Sequence, residues 1–393
     1  MHRLLSLAAT SGKFPGGQKE DAMDVSKIIE LARGKSEVDF IFKNAKLVNV
    51  FSGDIHLTHI AVHEGIIIGM GDYRAKKEID LEENYVLPGF LDGHVHLESS
   101  MVTPAEFARA VVPVGTTGVV IDPHEIANVM GLDGIRYMLE ASQGLPLDVH
   151  IMLPSCVPAT HLETAGAELT SYDLSLLWKN ERVLGLAEMM NFPGVIYQDK
   201  KTLDKIRMAQ GKRIDGHAPG LTGKNLCAYI GAAIRSDHEC TTLEEAKEKL
   251  RLGMYIMVRE GTAARNLQAL LPLINSDNSR KCFFVTDDRD PEDLLKEGHI
   301  NYVVKKSVQL GLDPIVAIQM ATINTAEYFG LHDVGAIAPG YRADMVVAND
   351  LHNLKIDKVF KKGKLVAQNG KILPRKIKET RVTMRSSMNV NWM

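Results

Sequence analysis

The feature that most restricts the fold is a series of short apolar runs, alternating with helical segments, between Val86 and Val285. This βαβα order predicts a parallel sheet with helices packed outside it. Eight strand–helix units over about 210 residues is the number that closes a barrel, whereas an open doubly wound sheet commonly has about five or six strands. The eight predicted strands cover residues 86–91, 117–121, 148–153, 183–187, 213–215, 233–235, 254–258 and 282–285.

The residues on both sides of this region have a different sequence pattern. Residues 38–85 and 339–373 contain short β-branched runs broken by turns, which indicates antiparallel strands. Asn369-Gly370 is a dipeptide typical of two-residue hairpins. We therefore expect an α/β chain, with a TIM (β/α)8 barrel over residues 86–338 and a small β-sandwich domain built from both flanks. Residues 1–37 are predicted to be a partly helical extension, and residues 374–393 a polar tail.

The charge balance and the cysteine content limit the partners that the chain is expected to bind and the cellular compartment in which it is expected to lie. Lys and Arg total 46 against 49 Asp and Glu, so the chain has no basic surplus for gripping a phosphate backbone, and we expect no nucleic-acid partner. No run of about 18 apolar residues occurs, so no membrane partner is expected. The four cysteines form no C-x-x-C pair, which favours a reducing, cytoplasmic location.

One helix is predicted with particular clarity over residues 242–252, where charged side chains alternate in sign. Its i,i+3 and i,i+4 charge pairs are typical of a solvated outer face. The side chains assigned to that face are Glu244, Glu245, Lys247, Glu248 and Lys249.

The sharpest chemical signal is the segment DGHVH at residues 92–96, placed directly after the first predicted strand. Extended backbone alternates sides, so the imidazoles of His94 and His96 should project the same way, about 7 Å apart, a span that one metal ion can bridge. Later strands also end in candidate ligands, on the face where barrel active sites are built. These are Glu188, His217, His238 and Asp287.

Four imidazoles and two carboxylates exceed the needs of one tetrahedral ion, since a catalytic zinc takes three protein ligands and one open position. Two divalent ions are therefore predicted. A carboxylate can bridge such a pair about 3.5 to 4 Å apart, and the ions then acidify a shared water. Nitrogen and oxygen ligands without thiolate suit manganese, iron or zinc.

Residues 87–96, which read LPGFLDGHVH, resemble the first-strand motif of the amidohydrolase superfamily. Further segments resemble its bacterial and archaeal adenine deaminases, over a match from about residue 39 to the end. These segments are ESSM (98–101), DPHEIANV (122–129), AEMMNFPG (187–194), DGHAP (215–219) and SDHE (236–239).

The resemblance implies a set of roles for the candidate ligands. His94 and His96 would hold one ion, His217 and His238 the other, Glu188 would bridge, and Asp287 would bind metal. Many amidohydrolases place a carboxylated lysine where this chain has Glu188. The implied reaction is hydrolytic deamination of adenine to hypoxanthine and ammonia, with manganese first among the expected ions and iron or zinc as alternatives.

Other residues are candidates for handling protons and substrate. We expect Asp287 to carry the water's proton to the leaving amine, because it would touch both metal and water. The candidates for donating to N1 of the purine or orienting the ring are Glu98, His124, Glu125 and Glu239. The segment REGT at residues 259–262 is predicted either to contact substrate or to cap the next helix through Glu260 or Thr262.

Adenine deaminases of this type generally continue into a further domain, and we expect this chain to lack it, with residues 374–393 as its start. Two alternative functions stay open. One is another amidohydrolase, such as a cyclic amidase or a deacetylase. The other is an inactive barrel that acts as a binding or assembly module. A homodimer or higher homo-oligomer is expected.

Overall fold

A computed structural model of the protein describes residues 24–160, 162–374, 382 and 387. The predicted N-terminal extension includes one helix within the described part, and residues 1–23 of it lie outside. Most of the predicted tail, residues 374–393, also lies outside the described residues. None of the helices in the described ranges has the length and apolar character needed to span a bilayer.

The strands and helices follow one another in an α/β order. The strands are β1 (Val38–Asn49), β2 (Asp54–His63), β3 (Ile66–Met70), β4 (Ala75–Asp80), β5 (Tyr85–Pro88), β6 (Phe90–Val95), β7 (Thr116–Ile121), β8 (Asp148–Leu153), β9 (Val183–Met189), β10 (Arg213–Gly216), β11 (Ser236–Asp237), β12 (Tyr255–Arg259), β13 (Cys282–Val285), β14 (Met345–Ala348), β15 (Ile356–Lys361), β16 (Lys364–Gln368) and β17 (Lys371–Ile372). The α-helices are α1 (Val25–Ala32), α2 (Pro104–Val111), α3 (His124–Met130), α4 (Leu132–Ala141), α5 (Ser171–Ser175), α6 (Phe192–Ile196), α7 (Lys200–Met208), α8 (Gly223–Gly231), α9 (Leu243–Arg251), α10 (Leu267–Leu270), α11 (Pro291–Lys296), α12 (Ile300–Gln309), α13 (Pro314–Met320) and α14 (Ile323–Phe329). Short 3-10 helices cover Leu97–Ser100, Val112–Val114, Leu271–Leu273 and Ser279–Lys281.

The eight strands from β6 to β13 are parallel and form two sheets, ordered β10-β9-β8-β7-β6 and β11-β12-β13. Hydrogen bonds connect the two sheets on both sides. The Arg235 amide donates to the Ile214 carbonyl at 3.2 Å, and the Asp287 amide donates to the His94 carbonyl at 2.9 Å. Parallel strands in this arrangement place all their carboxyl ends on one face, where active sites of such folds are built.

The two flanks of the chain join in one nine-stranded sheet of order β17-β16-β15-β14-β5-β1-β2-β3, with β4 alongside β1. The connection between the flanks is the antiparallel pairing of β14 with β5. The predicted Asn369-Gly370 hairpin is confirmed: both residues have positive φ, 52° and 72°, as a tight turn between twisted strands requires.

Two predicted strands differ from the structure. The run at 86–91 is not one strand, because β5 pairs in the antiparallel sheet and β6 begins at Phe90 in the parallel one. The chain changes sheets at Gly89, where a Cβ would lie 2.2 Å from the Thr117 hydroxyl oxygen, so only glycine fits. The strand predicted at 233–235 is also wrong. Ala233 closes the turn after α8 with φ 70°, and the short strand follows at Ser236–Asp237.

Buried charges fasten the antiparallel sheet to the amino-terminal side of the parallel strands. Lys361 of β15 donates to the Thr117 carbonyl at 2.7 Å, to Asp148 at 2.7 Å and to Asp344 at 2.8 Å. Arg342 contacts the same two carboxylates. These ion pairs hold the antiparallel sheet against the parallel strands, because separating the partners would leave buried charges unpaired.

Candidate metal centre

All six predicted ligands meet at the carboxyl ends of the parallel strands. Five strands deliver them: His94 lies in β6, Glu188 lies in β9, and the others follow within two residues of a strand end. The residues that follow strands are His96, His217, His238 and Asp287, after β6, β10, β11 and β13. The predicted convergence of these residues is therefore present in the structure.

Glu188 lies at the centre of the cluster and is 3% exposed. Its Oε1 is 3.3 Å from Nε2 of His96. Its Oε2 is 2.7 Å from Nδ1 of His217 and 3.1 Å from Nε2 of His238. The two oxygens of one carboxylate thus face different histidines, as a carboxylate that bridges two ions would.

Asp287 closes the other side of the cluster. Its Oδ1 is 3.3 Å from Nε2 of His94 and 3.1 Å from Nε2 of His96. Its Oδ2 accepts a hydrogen bond from Arg259 at 2.7 Å. The backbone of Asp287 has φ 59° and is fixed by hydrogen bonds with the main chain of His94 and His96. One oxygen is therefore directed to the histidine pair and the other to a fixed cation.

The imidazole rings are closer together than the sequence predicts. The ring centroids of His94 and His96 are 4.8 Å apart, not 7 Å, and the rings are nearly perpendicular. The pairing of β6 with β7 is irregular between Asp92 and Val95, so the two histidines do not follow regular strand alternation. His238 stacks on His94 at 4.3 Å, and His217 lies 5.3 Å from His238. The four rings form one compact group.

Three of the four candidates for contacting the purine ring, Glu98, His124 and Glu125, occupy one side of the cluster. His124 Nδ1 lies 3.2 Å from Asp122 Oδ2 and 3.5 Å from Glu188 Oε1. Glu125 Oε1 is 3.4 Å from Nδ1 of His96. Glu98 accepts a hydrogen bond from the Ile126 amide through one oxygen. Asp122 was not among the predicted ligands, although it directly follows β7, as His96 follows β6.

Glu239 and Arg259 form an ion pair inside the site. Arg259 donates to Glu239 through both terminal nitrogens, one of them at 3.0 Å, while also holding Asp287. Glu239 Oε1 is 3.3 Å from Nε2 of His238. Arg259, at the end of β12, therefore lies within the cluster, and it links the ends of β11 and β13.

The helix-capping hypothesis for the residues after Arg259 is wrong. The next helix begins at Leu267, and Asn266 occupies its N-cap position. Glu260 is fully buried and accepts from Lys306 at 2.6 Å. Thr262 donates to Asp293 at 2.8 Å. Both side chains fasten this loop to later helices.

The pKa values show which groups carry charge. Burial would raise the pKa of Glu188, but hydrogen bonds from His217, His238 and His96 hold it well below the ordinary carboxyl value. Burial would also raise the pKa of Asp287, but the imidazoles of His94, His96 and His238 beside it lower the pKa instead. Both carboxylates are ionised at neutral pH, which metal ligation requires.

The pKa values of Glu98, His124 and Glu239 are also shifted. Burial, together with the Glu125 charge, raises the pKa of Glu98 to about 8. Burial would lower the pKa of His124, but Asp122 raises it to about 9. Glu239 has a pKa of about 2, because its contacts with His238 and Arg259 outweigh its burial.

Buried polar atoms that lack a hydrogen-bond partner indicate that the cluster is suited to binding a cation. His94 Nε2 and Asp122 Oδ1 are buried without a hydrogen-bond partner among the described residues. Inside each of three groups of residues, the candidate ligand atoms lie within 4.8 Å of one another. The groups are His96, Asp122, His124 and Glu188; His94, His238 and Asp287; and Glu188, His217 and His238. Nitrogen and oxygen donors in this number fit two divalent ions.

Residues 85–366 match the model of the amidohydrolase family. The chain therefore belongs to the amidohydrolase family, as the motif at residues 87–96 indicates. Within the family, the chain is similar to adenine deaminases. It is 56% identical over 349 residues to adenine deaminase 2 of Carboxydothermus hydrogenoformans, covering 89% of this chain and 61% of the relative. It is 55% identical over 351 residues to an adenine deaminase of Dehalococcoides mccartyi, covering 89% and 62%.

A solved crystal structure of an adenine deaminase has the same fold. It aligns with a TM-score of 0.61 at 18% identity, over 84% of this chain and 99% of that one. At this identity the likeness concerns the fold alone. The chain spans 61% and 62% of the length of the two curated relatives, so their activity is carried over to it only as a proposal.

Proposed function

We propose that this chain carries the catalytic site of an adenine deaminase, which hydrolyses adenine to hypoxanthine and ammonia in purine salvage. The observation that carries the proposal is Glu188, with its two oxygens directed at different histidines. Similarity to curated adenine deaminases over 89% of the chain supports the choice of substrate.

The proposed architecture is one closed TIM barrel with a small β-sandwich domain. Hydrogen bonds between the two parallel sheets on both sides support closure. The pairing of β14 with β5 supports a small domain built from residues 38–85 and 339–373. Residues 86–88 pair in that sheet and are counted with it, so the proposed barrel runs from Phe90 to residue 338.

The proposed centre holds two divalent ions, with manganese first and iron or zinc as alternatives. When bound, such a pair acts as a Lewis acid that brings the pKa of water from about 15.7 to about 7. His94, His96 and Asp287 would hold one ion with Oε1 of Glu188. His217 and His238 would hold the other with Oε2.

Asp287 is the proposed proton carrier. It would take a proton from the attacking water as the oxygen adds to C6 of adenine, and pass it to the amino group that leaves as ammonia. Arg259 holds the second oxygen of Asp287, which fixes the carboxylate during both transfers. The lowered pKa of Asp287, which follows from the neighbouring histidines, keeps its carboxylate ionised and so free to accept a proton.

Glu98 and His124 are the proposed groups that face the purine ring, where a hydrogen bond to N1 makes C6 more electrophilic. Both side chains lie on the β6 and β7 side of the cluster and have a hydrogen to donate. Glu239 is ionised and bound to Arg259, so we assign it the role of an acceptor.

Release of ammonia from adenine by the manganese-reconstituted chain tests the proposal. We expect turnover of adenine and none of hydantoins or acetylated sugars. Activity on a cyclic amide or an acetyl group instead would favour the rival amidohydrolase functions. Manganese-loaded protein that releases no ammonia would favour a binding or assembly module.

We also propose a cytoplasmic location, which the four free cysteines support. The homo-oligomeric state stays a prediction.

A further inference from the structure

We propose that Lys249 is a positioning residue that ties together the two strand ends carrying His217 and His238. The inference rests on the proposed function in one respect, namely that these two histidines bind metal. It concerns a helix whose charged residues the sequence pattern assigns to solvent.

Lys249 does not lie on that solvated face. It belongs to α9, and its side chain is fully buried, whereas Glu244 and Glu248 of the same helix are exposed or partly exposed. A buried ammonium group is strongly unfavourable unless hydrogen bonds replace its lost water. The expected solvent exposure of Lys249 is therefore wrong, and its position in the core requires acceptors.

Three acceptors surround the Lys249 ammonium group, one for each of its N–H donors. Nζ is 2.6 Å from the Ala218 carbonyl, 3.0 Å from Asp237 Oδ2 and 2.7 Å from Glu245 Oε1. Burial would lower the pKa of Lys249, but Asp237 raises it above its ordinary value, so the group is charged. This ammonium also explains why Asp237, Glu245 and Cys240 form a group with cation-binding geometry.

Two of these acceptors are sequence neighbours of the proposed ligands. Ala218 directly follows His217, and Asp237 directly precedes His238. Asp237 adds a second connection, because its Oδ1 accepts the Ala218 amide at 2.8 Å. One ammonium and one carboxylate thus lock the ends of β10 and β11 together.

The locked pair of histidines shares one oxygen of Glu188. Nδ1 of His217 and Nε2 of His238 lie 2.7 and 3.1 Å from Oε2. Metal sites require metal–ligand distances within about 0.2 Å of their usual values. Loss of a group that orients the ligands through hydrogen bonds therefore typically weakens metal binding about 10- to 100-fold. Lys249 acts through the backbone and Asp237, and it does not touch the reacting atoms.

Lys361 provides a matched control at the opposite end of the strands. It is also a buried lysine with three acceptors, two carboxylates and one carbonyl, but none of them neighbours a proposed ligand. Lys249→Met and Lys361→Met each replace a buried ammonium by an apolar chain of similar length.

The test titrates the parent and both variants with manganese alone, following the free-ion signal by electron paramagnetic resonance. Melting in the presence of a chelator measures fold stability separately. We expect Lys249→Met to bind one of the two ions about 10- to 100-fold more weakly, with ammonia release restored by excess manganese. Lys361→Met should melt earlier and bind both ions as the parent does.

Parental affinity for both ions in folded Lys249→Met would overturn the inference. So would an equal loss of affinity in both variants. If Lys249→Met does not fold, Glu245→Gln replaces it, with an expected loss of about tenfold in the same direction. Manganese binding without deamination in the parent would refute the proposed reaction and leave this test intact. A parent that binds no manganese would refute both.

Discussion

Replacing Glu188 by glutamine should cost at least a hundredfold in kcat. The substitution keeps the shape of a side chain that is 3% exposed and removes its negative charge. Three imidazole nitrogens lie within 3.3 Å of its oxygens, so the amide would face histidines and ions with one donor group and one neutral acceptor. A hundredfold loss of kcat corresponds to about 2.7 kcal/mol of lost transition-state stabilisation.

The assay is ammonia release from adenine at saturating manganese, with bound manganese counted in the same samples. Asp344→Asn is the control, because Asp344 is a buried carboxylate that accepts from Lys361 at 2.8 Å far from the cluster. We expect the control to lose stability and keep its kcat. A Glu188→Gln protein that retains two ions and more than a tenth of the parental kcat would refute a bridging carboxylate.

Three further outcomes are expected. Asp287→Asn should lower kcat by about 10²- to 10⁴-fold at saturating manganese, and a loss below tenfold would exclude Asp287 as the proton carrier. A chelator should abolish ammonia release and added manganese should restore it, whereas activity that resists metal removal would contradict a metal-dependent reaction. His150→Gln should flatten the dependence of melting temperature on pH. Burial lowers the pKa of His150 from 6.5 to about 4, so the unfolded chain binds the extra proton and acid destabilises the parent between these values. Equal slopes in the parent and His150→Gln would contradict this.

The convergence of the six candidate ligands could be predicted because each lies within two residues of the carboxyl end of a parallel strand. Parallel strands bring their carboxyl ends to one face, so His94, Glu188 and Asp287 could be grouped from positions nearly two hundred residues apart. The mutual distances could not be predicted, since β6 pairs irregularly between Asp92 and Val95, beside the two imidazoles that lie 4.8 Å apart.

Contacts between elements that are distant in sequence could not be predicted from the sequence pattern. Nothing local distinguishes the buried Lys249 from the solvated charges of its helix, because two of its three acceptors, Ala218 and Asp237, lie at the ends of β10 and β11. The Arg259 ion pair with Glu239 likewise joins residues from two strands. The split of the run at 86–91 depends on the close approach of Thr117 to Gly89, a contact with a different strand.

Anomalous diffraction from crystals of the manganese-loaded chain, measured on both sides of the manganese absorption edge, tests the central claim most directly. Two peaks are predicted, about 3.5–4 Å apart, with Glu188 between them. One should adjoin His94 and His96 and the other His217 and His238. A single peak, or peaks only at other carboxylates, would contradict a binuclear centre bridged by Glu188.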